Sequence, residues 1–434
     1  MTDALDLLSR YIQFDTSHHN EMAAAEWLAG VVRERGITND VRVLEPEPGR
    51  GLVIARIQGR DPALKPLIVS HHIDVVAADP TQWTHAPFGG EIADGVVYGR
   101  GAFDDKGMGV AHLLALDALV REGVRFRRGV VFTAVPDEET NGAQGTGWLV
   151  SHMARDLDPE WVWDEGGSGY VDFFGPGVLW GVANCEKQVH RVRVTAQGTP
   201  GHGSMPHTDN PNDKLVIALR RVLWHDRPLR LSETTRAMLR IIAQRQPFPA
   251  SALLSRLENS VVQRVAAARI KRDPQLNALL RDTISLTILR GGYQGNVIPE
   301  RAEAELDCRL LPETDPDEFD AWLRGVLGRH VAIEVLERSP RTPLAPLQSV
   351  LYEALTGAAL AAPPGAAAFP LQMPGATDSR FWRAAGVPGY GLAPFLVTRQ
   401  DLAAVHGIDE RISGANLELG VRIAQDVITR VCLS

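Results

Sequence analysis

Cysteine is scarce: Cys185, Cys308 and Cys432 are the three in 434 residues. Their odd number and wide spacing exclude a disulfide framework and a zinc knuckle. They read instead as small buried side chains of a protein kept in a reducing cytoplasm. Long apolar runs are also missing, none reaching the length that spans a bilayer, so no membrane partner is expected. Basic blocks are missing too. With 45 Lys and Arg against 53 Asp and Glu, the net charge is −8, which argues against nucleic acid as a partner. Residues 1–16 set Asp3, Asp6 and Arg10 among leucines, the pattern of an amphipathic helix and not of a signal peptide. No segment repeats another. What remains is an ordinary globular composition, 44% hydrophobic and 23% charged, in a chain long enough for more than one domain.

The first half alternates short apolar runs with helical patterns. Asn20 is placed to cap a helix through Ala24, Trp27, Leu28, Val31 and Val32 that ends at Gly36. Apolar runs over 51–57 and 66–70 come next, the second leading straight into His71-His72-Ile73-Asp74. A helix over residues 107–122 has Leu113, Leu114, Leu116, Leu119 and Val120 to bury, and the run 129–135 ends in Pro136-Asp137-Glu138-Glu139. Unbroken apolar strands separated by helices predict an α/β fold, a mostly parallel sheet with helices on both faces. The polar clusters then fall where strands stop, which is where open α/β sheets bind ligands.

Near residue 188 the pattern changes. Segments 190–195, 284–289 and 301–311 alternate, the last placing Ala302, Ala304, Leu306 and Cys308 on one face. Alternation predicts an antiparallel sheet with one solvated face. With helices over 213–223 and 316–327, this gives an inserted α+β lid or dimerisation domain, 188–340, within a catalytic domain of 1–187 and 341–434. The Arg-rich middle of the insert, 225–280, reads as helical without evident chemistry. Residues 340–346 form a linker back, 361–368 a small-residue loop, and 415–431 a closing helix.

Five clusters carry chemistry. His72-Ile73-Asp74 sets an imidazole and a carboxylate at i and i+2, one face of a strand, suiting His72 as a metal ligand and Asp74 as its orienting partner. In Gly99-Arg100-Gly101-Ala102-Phe103-Asp104-Asp105-Lys106-Gly107, glycines flank two acids just before a helix; Asp104 either caps the helix or bridges two cations. Asp137-Glu138-Glu139 crowds three acids at a strand end, costly to bury unless cations neutralise them. Asp164-Glu165-Gly166-Gly167 comes after the run Trp161-Val162-Trp163, and His406 stands in Val405-His406-Gly407-Ile408-Asp409-Glu410. Each alone has an ordinary structural explanation. Together they supply two imidazoles and several carboxylates, a mixed N/O set that suits zinc, and also cobalt or manganese. A carboxylate not used as a ligand is free to act as general base toward water.

These motifs, in this order, resemble the two-zinc metallopeptidase family of aminoacylase, carboxypeptidase S, glutamate carboxypeptidase, acetylornithine deacetylase and succinyl-diaminopimelate desuccinylase. The resemblance covers nearly the whole chain: Ser70-His71-His72-Ile73-Asp74-Val75-Val76, then Gly99 to Gly107, then Asp137-Glu138-Glu139. It implies that His72 binds one metal, Asp104 bridges both, Glu138 is the general base, Glu139 and His406 bind the second metal, and Glu165 binds the first. Asp164 competes with Glu165, because other branches place an aspartate there. A cis peptide between Asp104 and Asp105 is implied as well. In the insert, the segment from Gly198 to His207 resembles the family's lid motif, giving His202 a place in stabilising the tetrahedral intermediate, from its own subunit or a neighbour's. Gly295-Asn296-Val297-Ile298-Pro299 resembles the lid's Asn-Val-Ile-Pro segment, where Asn296 would contact substrate. Thr377-Asp378-Ser379-Arg380 resembles the family's Thr-Asp-x-Arg, making Arg380 a partner for a substrate carboxylate.

The implied activity is metal-dependent hydrolysis of an amide or peptide bond in a small N-acylated amino acid or short peptide with a free carboxylate. The implied cofactors are two divalent ions, zinc foremost. Alternatives are a biosynthetic deacylase of an acylated diamino acid and a non-catalytic binding relative. A homodimer through the lid, and open and closed forms of the lid, are further expectations.

Overall fold

A computed structural model describes residues 2–433. The apolar runs of the two outer segments become one eight-stranded sheet. Its order is Val41–Leu44, Leu52–Ile57, Val130–Val135, Leu67–His72, Trp161–Val171, Gly389–Val397, Val178–Glu186 and Ala367–Met373. The four strands from Val130–Val135 to Gly389–Val397 run parallel, as do Val178–Glu186 and Ala367–Met373. The outermost two on the other side, Val41–Leu44 and Leu52–Ile57, pair antiparallel.

The central strands carry apolar residues toward both faces because both faces are covered. Val53, Ala55, Leu67, Val69, Val130, Phe132 and Trp163 face a core shared with helices Thr2–Ile12, Met22–Glu34, Lys106–Arg121 and Gly414–Cys432. The intervening residues Leu52, Ile54, Ile68, Val131 and Val162 face a second core with Leu149 of helix Thr146–Leu157 and Trp382 of helix Ser379–Ala384. Helix Met22–Glu34 has Glu21, not Asn20, at its cap position, and Glu21 makes no side-chain capping bond.

The alternating segments form a separate four-stranded antiparallel sheet in the order Thr283–Gly291, Arg301–Leu310, Gln188–Gln197 and Ala332–Arg338. Its inward residues Val192, Val194, Ala302, Ala304, Leu306 and Cys308 pack on helices Pro211–Leu223 and Pro316–Leu327. Both helices start with proline, after the capping side chains of Asn210 and Asp315. The chain passes from one sheet to the other through Glu186, Lys187 and Gln188, all buried. Lys187 Nζ donates to the Arg281 carbonyl at 2.8 Å and to Thr283 Oγ1 at 3.0 Å.

The Arg-rich middle of the insert is helical, and its role is packing. Met238, Leu239, Ile242, Leu257, Ala266 and Ile270 form a core with Leu179, Ala183, Phe369 and Leu371 of the large sheet's edge strands. These helices cover the large sheet at its far edge. All three cysteines are buried and unpaired. Among the described residues, no helix is long and apolar enough to cross a membrane.

Candidate metal centre

Neighbouring parallel strands end at the same side of a sheet, so the loops leaving them meet there. Leu67–His72 delivers His72, Val130–Val135 runs on into Asp137-Glu138-Glu139, and Trp161–Val171 carries Asp164 and Glu165. Asp104 arrives from the loop before helix Lys106–Arg121, and His406 from the loop after helix Arg399–Ala404. The Asp104–Asp105 peptide is cis.

Imidazole and carboxylate atoms converge. His72 Nε2 lies 2.9 Å from Asp104 Oδ1. His406 Nε2 lies 3.3 Å from Asp104 Oδ2 and 3.1 Å from Glu139 Oε1. Asp104 thus faces both rings, one oxygen to each. Donor atoms of His72, Asp104 and Glu139 all lie within 4.8 Å of one another, and so do those of His72, Glu138 and Glu165. His406 reaches inward from a left-handed turn, with φ 57°.

Asp74 acts in two ways. Its main-chain carbonyl is 2.9 Å from His72 Nδ1, while its carboxylate is farther off, at 3.7 Å. The strand ends at His72, so the alternation that would set the two side chains side by side does not continue to Asp74. The carboxylate instead accepts from the backbone N–H of Glu138 at 3.2 Å and of Glu139 at 3.0 Å, fixing the acidic loop.

Asp164 and Glu165 part company. Asp164 Oδ2 accepts from Ser379 Oγ at 3.1 Å, whereas Glu165 joins the cluster. Glu165 sits where a neighbouring strand comes very close: a Cβ on Gly391 would lie 2.1 Å from the Glu165 carbonyl oxygen, so only glycine fits there. Asp137 also faces away, held by Arg50 Nη2 at 3.0 Å and by the backbone N–H of Gln144 at 2.8 Å.

Burial pushes the carboxyls of Glu138, Glu165 and Asp105 well above their usual range, and Asp74 up to about 6. The neighbouring acids raise Glu138 and Glu165 further. Asp104 is the exception: burial raises it, but hydrogen bonds from His406 and His72 outweigh that and hold it below the usual range. Those to Asp104 and Glu139 raise His406 to about 10. So many half-buried acids around two imidazoles form a site short of positive charge. The donor set, nitrogen and oxygen only, fits divalent cations of the zinc, cobalt and manganese kind.

The remaining predicted residues lie outside this cluster. Arg380 is buried; its Nη1 donates to the Thr377 carbonyl at 2.9 Å and its Nη2 to the Asn141 carbonyl at 2.7 Å, and its charge lowers the Glu138 carboxyl. His202 and Asn296 are exposed on a small ribbon in which Gly201–His202 pairs with Val297–Ile298. His202 Nδ1 is 2.7 Å from Ser204 Oγ, and the Asn296 carbonyl accepts from Gly203 N–H at 2.8 Å. Among the described residues, no hydrogen bond or ion pair joins either to the cluster. The structure also gives Arg100 and Glu410, quoted within motifs but without roles, a buried ion pair at 2.7 Å beside Asp104. Their separation along the chain hid that contact from the sequence.

A mostly parallel sheet whose strand ends gather histidines and carboxylates has the make-up of a metal-dependent hydrolase. The chain belongs to peptidase family M20/M25/M40, whose model matches residues 68–430. It is 29% identical over 384 residues to N-fatty-acyl-amino acid synthase/hydrolase PM20D1 of Xenopus tropicalis, covering 85% of this chain and 72% of that one. It is 27% identical over 420 residues to human aminoacylase-1, covering 94% and 89%. The fold is shared with the M20 metallo-carboxypeptidase Sso-CP2 of Sulfolobus solfataricus, with a TM-score of 0.74 at 19% identity and 99% of both chains covered. It is shared also with a dinuclear metal-binding peptidase of Bacillus subtilis, TM-score 0.58 at 16% identity, covering 100% of this chain and 99% of that one.

Proposed function

We propose that this chain is a dinuclear metal amidohydrolase that cleaves the amide or peptide bond of a small N-acylated amino acid or short peptide bearing a free carboxylate. The observation that carries this is Asp104, one oxygen turned to His72 and the other to His406, with Glu139 beside it and Glu165 gathered on the same His72. In this reading His72, Asp104 and Glu165 hold one ion, and Asp104, Glu139 and His406 hold the other. Such ions, zinc foremost and cobalt or manganese as alternatives, would acidify the attacking water and polarise the scissile carbonyl. Glu138 takes the proton from that water as the C–O bond forms, and gives it to the leaving amine as the C–N bond breaks. Asp74 keeps the His72 ring and the Glu138 loop in register. Arg380 has N–H groups beyond the two it spends on carbonyls, enough to receive a substrate carboxylate. His202 and Asn296 reach the reacting carbonyl when a lid closes, from the same chain or from a second subunit.

A homodimer through the insert fits the exposed Val216, Ile217, Leu223 and Trp224 on and after helix Pro211–Leu223. A cytoplasmic location fits the three unpaired thiols. The names of the relatives, aminoacylase-1 and carboxypeptidase S-like among them, favour acylated amino acids and peptides as substrates.

The test is metal stoichiometry, paired with turnover of N-acetyl amino acids and dipeptides before and after chelation. About two equivalents of divalent metal, with activity lost on chelation and restored by zinc, cobalt or manganese, is the expected result. A protein that binds no metal and turns over nothing sinks the reading and leaves a binding module on the same fold.

A further inference from the structure

The loop carrying Asp104 is gathered by one carboxylate. Glu410 is 1% exposed, and both its oxygens are filled. Oε2 accepts from Arg100 Nη1 at 2.7 Å and from Gly101 N–H at 3.1 Å. Oε1 accepts from Phe103 N–H at 2.9 Å and from Asp104 N–H at 3.0 Å. The main chain adds Gly99 N–H to the Glu410 carbonyl at 2.9 Å. Arg100, 2% exposed, uses its other arm on the Gly407 carbonyl at 2.8 Å, the residue after His406. This ion pair therefore ties the loop that presents Asp104 to the turn that presents His406, through backbone and side chain together.

We infer that Glu410, with Arg100, is a positioning residue that sets the distance between Asp104 and His406 and so closes the shell of the second metal ion. The inference rests on the two-metal reading above. With both oxygens spent on donors of the loop, Glu410 acts through the backbone of Asp104. A carboxylate is required because four donors point at two acceptor oxygens. A carboxamide of the same shape turns an NH2 group toward one pair of donors, so that pair loses its acceptor and the loop shifts.

The experiment compares wild type with Glu410→Gln by metal content after dialysis, by calorimetric titration with zinc, and by the visible spectrum of the cobalt-loaded protein. In wild type two equivalents are expected, with two resolvable phases. In Glu410→Gln the phase that His406 completes is expected to weaken about 10- to 100-fold, and the other, which shares Asp104, to weaken less. The cobalt spectrum changes most at one ion, and kcat returns toward wild type at saturating metal with KM unaltered. If Glu410→Gln does not fold, Arg100→Lys keeps the charge and gives up the arm to Gly407; the same unequal weakening is expected from it. Two unchanged metal phases in a folded variant with only a lowered Tm overturn the inference while leaving the two-metal reading intact. A wild type that binds no metal overturns the reading itself, a different result in a different sample.

Discussion

Glu138 and Glu139 are adjacent in sequence yet have different surroundings. Glu139 meets His406 at 3.1 Å, while Glu138 is left with a carboxyl that burial, Asp378 and Glu139 push well above its usual range. A carboxylate that is near the cluster but not bonded to a ring is free to move a proton. Glu138→Gln is expected to retain both metals and to lose turnover by about 10²- to 10⁴-fold. Metal content and kcat measured on one preparation check this, and a near wild-type rate would show that another group is the base. At this scale the sequence is informative where motif residues meet each other and silent where they meet a stranger. Asp137 stands in the same acidic triplet, yet Arg50, far away in the chain, turns it from the cluster. Asp164 likewise goes to Ser379, and the choice between it and Glu165 waits on strand register.

The elements were largely legible because each core-facing pattern has its own period. Unbroken apolar runs became strands covered on both faces, and alternating runs became the one-sided sheet of the insert. Caps were less legible: Asn20 has the right chemistry for an N-cap, but the helix starts after Glu21. The strand-to-strand passage at Lys187 was invisible, since nothing in the sequence marks a lysine for burial. Burial lowers its ammonium to about 7, against an ordinary value of 10.5. Between those values the unfolded chain holds a proton that the folded one has released, so this group makes stability rise with pH across that window. Below it both states are protonated and the cost of burying the charge is fully present. Urea midpoints at about pH 7 and about pH 9.5 are expected to rise for wild type relative to Lys187→Met. Parallel midpoints in the two proteins would mean that Lys187 stays charged in its pocket.

For the whole molecule, the large sheet's strand ends gather acids that repel one another, so the proposed metal binding would be linked to folding. Chelation is expected to lower Tm and added zinc to restore it, with about 2.7 kcal/mol gained at a hundredfold excess over Kd. Scanning calorimetry with and without chelator decides; identical curves would mean the acids are accommodated without cations. The change of hydrophobic period near residue 188 falls where the chain leaves the large sheet for the antiparallel one. No local pattern could convey where the Arg-rich helices lie, because their partners Leu179, Ala183, Phe369 and Leu371 belong to strands distant in sequence.

That contact has an evolutionary side. Deleting the helices from Glu233–Gln244 to Pro274–Leu280 would uncover an apolar patch on the sheet's far edge, an invitation to aggregate. A homologue that shortens this segment must at the same time make Phe369 and Leu371 polar or recruit another cover for them. The insert's length and the character of those strand residues are thus inherited together.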